Sequence, residues 1–268
     1  MLRRTDENQG SEAVAFVRLG ESDYQITQAI GSVKNSNALE VERLTIRFGA
    51  TEVFSDLNFQ ISRGSSLAVI GPNGCGKTVL FRALIGVQPY EGIVRWAPGI
   101  KIGYVPQKLD IERDLPITAN DFLRARTTIA RAARDEPLRV LARVGLEPSL
   151  LGQPIGSMSG GQFQRLLVAF ALIGQPDALL LDEPAAGMDA PGQAKLNDTL
   201  RSLQTDDGVT ILFISHDLSV VYGYASQVLC LRRGDCCIGA PEEVLTPARL
   251  KELYGVPIAF HIHDGHGN

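Results

Sequence analysis

The 268-residue sequence predicts an α/β fold in which a parallel-sheet core carries an antiparallel β subdomain and a helical subdomain. Three observations carry that expectation. From residue 178 onward, short apolar runs alternate with helical stretches (strand 178–181, helix 192–204, strand 209–214, helix 217–224), the order that builds a parallel sheet through crossover helices. Residues 39–105 read as strand-rich, whereas residues 107–175 are rich in Ala, Leu and Arg and read as helical. The apolar run SSLAVI, 65–70, opens directly into a glycine-rich loop.

In chain order, residues 1–38 are polar, rich in Ser, Asn, Gln and Gly and without periodicity, so they form an N-terminal extension with no readable structure. Leu39, Val41, Leu44, Ile46 and Phe48 predict a first strand, Phe54, Leu57, Phe59 and Ile61 a second, and residues 65–70 a third. Residues 92–96 and 101–105 are expected to pair as a hairpin around Ala97-Pro98-Gly99. Helices are expected at 120–134 and 136–144 within a helical subdomain spanning 108–175. The main domain runs over 39–258, and residues 259–268 form a His-containing tail.

The apolar fraction of 44% suits a globular domain, and the net charge of −4 gives no reason to expect a nucleic-acid partner. The apolar runs fall far short of the roughly 20 residues that cross a bilayer, and the N-terminus lacks the apolar centre of a secretory signal. The expectation is a cytoplasmic protein. Four cysteines with no CxxC pair point to reduced thiols.

GPNGCGKT, 71–78, fits the phosphate-loop pattern in the context that pattern requires, after a strand and before a helical run. Gly71, Pro72, Asn73, Gly74, Cys75 and Gly76 shape a loop whose backbone N–H groups converge on phosphate oxygens; Lys77 neutralises β/γ charge, and the Thr78 hydroxyl can bind Mg²⁺. The expected substrate and cofactor are therefore ATP and Mg²⁺. The strand ALLLDEP, 178–184, ends in two carboxylates at the sheet edge where parallel strands present ligands. Asp182 is placed to hold the metal, and Glu183 is the candidate base that polarises a water for attack on the γ-phosphate. His216 follows another buried strand and is expected to sense the γ-phosphate. Gln107, where the strand-rich and helical regions meet, is expected to contact Mg²⁺ or the attacking water.

A second anion-binding helix start lies in SMSGGQFQR, 157–165. Ser159, Gly160 and Gly161 equally describe an ordinary helix N-cap. Because one phosphate loop already satisfies one nucleotide, the second set is read as serving ATP on another copy of the chain. Reciprocal exchange makes a two-fold dimer.

The ordered set GPNGCGKT, Gln107, SGGQ, LLLDEP, AGMD (186–189) and His216 resembles the ATP-binding-cassette (ABC) ATPases over residues 39–258. The resemblance implies a P-loop NTPase of the ABC ATPase type that hydrolyses ATP in a dimer. It implies that Ser159, Gly160, Gly161, Gln162 and Asp189 act on the nucleotide in trans and that Phe48 stacks on adenine; the residues alone allow Phe48 equally to be a strand-core aromatic. Met158 replaces the family's usual Leu, Cys75 its small loop residue and Val79 its second Thr or Ser, though Val79 stays within the nucleotide-binding run. Cys75 opens a route to inhibition by thiol modification.

The stretches 102–126 and 228–244 are further similar to the ATPase subunits of bacterial metal-uptake importers, most of all those for zinc. That resemblance implies separate membrane permease subunits, a metal-binding protein outside the membrane, and a peripheral place on the inner face. It also implies coupling through the groove around Gln107. Manganese or iron is the alternative cargo, because the ATPase never touches the ion. A non-transport ABC ATPase or a non-catalytic ATP-gated module is the alternative class. Cys230, Cys236 and Cys237 are expected in a hairpin around residues 233–235 as small core residues rather than as metal ligands. His261, His263, Asp264 and His266 form either a solvated tail or a Zn²⁺ cluster.

Overall fold

The structure, a computed structural model, describes residues 37–109, 115–232 and 234–255. The extension up to residue 36 and the tail with its three histidines lie outside the described residues.

Strands β1 (Asn37–Phe48), β2 (Thr51–Ser62) and, beyond β3 (Ser66–Ile70), β4 (Glu91–Trp96) form an antiparallel sheet of order β2-β1-β4 with β1 in the centre. The apolar alternation skips a residue between Val41 and Leu44 and between Phe54 and Leu57. The ladder shifts register at both gaps, and Arg43 in the first and Asp56 in the second adopt φ of 49° and 52°. Each irregularity returns the following apolar residue to the inner face. Gly92 completes the first: a Cβ on it would lie 2.3 Å from the Arg43 carbonyl oxygen.

The larger sheet adds β5 (Ile102–Val105), β6 (Ala178–Asp182), β7 (Thr210–Ile214), β8 (Gln227–Arg232) and β9 (Asp235–Gly239) in the order β5-β6-β7-β3-β8-β9. Every neighbouring pair is parallel except β8/β9. Its strands β3, β6 and β7 are buried at every position and mostly apolar because both faces are covered. Leu67, Val69, Leu180, Leu212 and Ile214 face the antiparallel sheet and α1 (Lys77–Leu84). Ala68, Ile70, Leu179, Leu181, Ile211 and Phe213 face the other helices. Those helices are α2 (Ala119–Ala130), α3 (Glu136–Arg143), α4 (Gly160–Leu172), α5 (Ala190–Thr205), α6 (Leu218–Tyr224), α7 (Pro241–Val244) and α8 (Pro247–Tyr254).

The hairpin expected from 92–96 and 101–105 does not form. β4 pairs with β1, Leu39 opposite Trp96, whereas β5 pairs in parallel with β6, Ile102 opposite Ala178. The turn between them carries the chain from one sheet to the other. The difference follows from burial: β4 is an edge strand with exposed positions, and all four residues of β5 are buried. Gly103 admits α4 against the strand, since a Cβ there would sit 2.7 Å from the Ala171 carbonyl oxygen. Helix α2 stops earlier than expected because Arg131 takes a left-handed conformation, with φ 52°. Its start is fixed by a capping box between Thr118 and Asp121.

Candidate functional site

β5, β6, β7 and β3 are adjacent and parallel, so the loops that follow them open on one edge of the sheet. That topology brings Gln107, Asp182, Glu183, His216 and the 71–76 loop together from segments far apart in sequence.

The loop after β3 enters α1 through Gly76, with φ 108°, and no side chain among the described residues caps the helix; its first turn holds no acidic residue. The N–H groups and dipole of α1 therefore face the loop unquenched. Gly71 is irreplaceable on packing grounds: a Cβ would lie 2.2 Å from the Leu231 carbonyl oxygen of β8 and 2.9 Å from Cys75 Sγ. The buried Lys77 ammonium donates to the carbonyl oxygens of Gly71 at 2.8 Å and Pro72 at 3.1 Å, spanning the loop.

Thr78 Oγ1 donates to Asp182 Oδ2 at 2.6 Å. Asp182 is almost fully buried, and its Oδ1 has no hydrogen-bond partner among the described residues. Burial pushes this carboxyl above the ordinary carboxylate range, against the opposing pull of the Thr78 hydrogen bond. Next to it, Glu183 adopts φ 51°, and its N–H donates to the Ile214 carbonyl of β7 at 3.2 Å. This backbone aims its carboxylate between two side chains: Gln107 Nε2 donates to Oε2 at 2.8 Å, and His216 Nε2 lies 2.6 Å from Oε1. An ionised carboxylate only accepts, so His216 carries its proton on Nε2.

Ser159 is the N-cap of α4. Its hydroxyl oxygen accepts from the Gln162 N–H at 3.2 Å, and Gln162 Oε1 accepts from the Ser159 N–H at 2.9 Å. The ordinary N-cap is thus present, and it leaves the hydroxyl proton unspent. The Cβ positions of Gly160 and Gly161 approach Gly187 and Met188 of the same chain, at 3.9 Å and 3.6 Å. Asp189 caps α5, accepting from the Gly192 N–H at 3.2 Å. Phe48 is half exposed, so it is not a strand-core aromatic. Cys75 is buried, and burial raises its thiol pKa, which works against reaction at this sulfur.

Two tyrosines escaped sequence reasoning. Tyr104 of β5 is buried, and its phenol is pushed above the ordinary value first by that burial and then by the Asp182 charge. Tyr254, the last residue of α8, is pushed above the ordinary value by burial, with the Gly71 backbone beside its phenol pulling the other way. No local pattern in the sequence signals either contact.

Residues 54–186 match the ABC transporter family. A zinc import ATP-binding protein, ZnuC, of Roseobacter denitrificans is 41% identical over 218 residues, covering 81% of this chain and 84% of that protein. The chain belongs to the ABC transporter family. This ABC ATP-binding subunit is also similar in structure to a metal-chelate type ABC transporter in an inward-facing conformation, with TM-score 0.75 and 28% identity over 82% of this chain and 90% of the other. It is similar too to cbiO1 of Clostridium perfringens, part of the ABC transporter complex cbiONQ, with TM-score 0.68 and 26% identity over 81% and 94%. The chain is thus an ABC ATPase with the P-loop NTPase fold that its motifs predict. No helix among its described residues is long and apolar enough to cross a membrane.

Proposed function

We propose that this chain is the ATP-hydrolysing subunit of a zinc importer, acting as an ATP-bridged pair of copies on the cytoplasmic face of separate membrane permease subunits. A metal-binding protein outside the membrane delivers the cargo in this reading. The observation that carries it is the pair of carboxylates ending β6: Asp182 tied to the phosphate loop through Thr78, and Glu183 held between Gln107 and His216. The zinc import named for the 41% identical relative, and the metal-chelate transport named for a structural neighbour, support the cargo.

The N–H groups of residues 73–79 bind the ATP phosphates, and Lys77 exchanges its loop carbonyls for β/γ oxygens. Phe48, exposed at the end of β1, stacks on adenine. A hard cation suits the oxygen of Asp182 that lacks a partner and the adjoining Thr78 hydroxyl, so Thr78, Asp182 and Gln107 would hold Mg²⁺. When bound, Mg²⁺ neutralises phosphate charge. Glu183 takes a proton from the attacking water as the bond from the γ-phosphorus to the ADP oxygen breaks. Gln107 and His216 keep its carboxylate aligned, and His216 senses the γ-phosphate. Ser159, Gly160, Gly161, Gln162 and Asp189 meet the ATP held on the other copy.

The test is growth of a gene-deletion strain in metal-depleted medium, with zinc, manganese and iron restored separately and complementation by the parent or Lys77→Ala. Zinc should relieve the defect, and only the parent should complement it. Relief by manganese or iron alone changes the cargo, and absence of any metal phenotype, with redundant importers removed, sinks the importer reading.

A further inference from the structure

The back wall of the phosphate loop is β8, whose Leu231 carbonyl leaves no space against Gly71. One residue earlier, Cys230 stands opposite Cys237 of β9 in antiparallel register. Residues directly opposite share a sheet face and have Cα atoms about 4.5–5.5 Å apart. A disulfide spans about 4.4–6.8 Å between Cα atoms. Both residues are free thiols, and each is the strongest influence on the other's ionisation. The neighbouring Cys230 thiol, assisted by Arg249, holds Cys237 below the ordinary thiol value, and Cys230 is pushed up in return. Cys236 lies on the opposite face and is exposed.

A crevice of about 30 Å³ reaches the pair beside Arg249 and Glu252 of α8. That is room for a water-sized molecule. α8 itself joins this region to the loop, because its last residue, Tyr254, lies beside the Gly71 backbone.

We propose that Cys230 and Cys237 are a peroxide-oxidisable dithiol, a modification site behind the phosphate loop whose disulfide weakens nucleotide binding. The Cys237 thiolate attacks one oxygen of hydrogen peroxide; the O–O bond breaks, and hydroxide leaves and is protonated to water. The Cys230 sulfur then attacks the resulting sulfenic sulfur. An S–S bond forms, the S–O bond breaks, and the departing hydroxyl leaves as water with the Cys230 proton. Two thiols lose two electrons and one peroxide becomes two waters. Closing the sulfurs to about 2.05 Å with the fixed dihedral of a disulfide locks the local spacing and twist of β8 against β9. The next residue along β8 is Leu231, which has no slack against Gly71. Cys236 cannot substitute, because its side chain points away from Cys230.

The experiment uses the full chain with Cys236→Ser, treated with stoichiometric hydrogen peroxide, denatured, alkylated and mapped by mass spectrometry. ATP affinity is measured before treatment, after it, and after reduction. The expected product joins the Cys230 and Cys237 peptides, is two hydrogens lighter and resists alkylation. ATP affinity should fall by about fivefold or more, and reductant should restore it. Further substitution by Cys237→Ser, or by Cys237→Ala should the serine disturb folding, should abolish both changes. Full alkylation of Cys230 after peroxide overturns the dithiol, and a linked product with unchanged ATP affinity overturns its coupling to the loop.

Discussion

Replacing Glu183 by Gln tests the centre of the site, because two magnitudes separate structural from chemical loss. The carboxylate accepts from Gln107 Nε2 and from His216 Nε2, whereas an amide oxygen serves only one side and turns N–H groups toward the other. His216 is 44% exposed at its side chain and can move its proton to Nδ1, so that Nε2 accepts from the new amide. The net structural cost is then no more than one exchanged hydrogen bond, about 1 kcal/mol. At roughly 2–4 °C per kcal/mol for a domain of this size, Tm should change little. Loss of a general base costs about 10²–10⁴-fold, or about 3–5 kcal/mol of barrier. Phosphate release by the assembled transporter should therefore collapse, while ATP still binds and is trapped. Turnover within about threefold of the parent would refute Glu183 as the base. A large fall in Tm beside lost turnover would instead make Glu183 a structural residue.

Asp182→Asn separates folding from function in the opposite sense. Burial raises this carboxyl's pKa above its unfolded value, so the parent gains stability as pH falls through that folded value and pays for a buried charge above it. The variant should lose ATPase activity yet melt higher than the parent at neutral pH without Mg²⁺, an advantage that fades on acidification; thermal scans across pH would detect a flat difference if burial of Asp182 is not costly. Ser159→Asp should keep the α4 cap, whereas Ser159→Ala should lose about 1 kcal/mol of stability. Both should block ATP-driven pairing of Glu183→Gln chains bound to their membrane partner. Light scattering that shows dimers with the Asp variant would end the trans role of Ser159, since a carboxylate there repels a γ-phosphate.

The sequence by itself determined the local chemistry: which loops follow apolar strands, where the glycines let a helix start bind anions, and which acids end β6. Adjacent residues encode these features, so GPNGCGKT, ALLLDEP and the Ser159 turn were legible without a partner in view. Tertiary structure alone decided which distant elements meet. Periodicity assigns a face to a residue but not a neighbour to a strand, so residues 92–96 and 101–105 looked like a hairpin until burial on both faces drew β5 to β6. For the same reason the partners of Glu183 come from the loops after β5 and β7, Tyr254 closes on Gly71 from the last described helix, and Cys236 and Cys237, adjacent in sequence, face opposite sides of the sheet. Those contacts form where packing the apolar faces brings separate segments together, and no short stretch of sequence contains both ends of them.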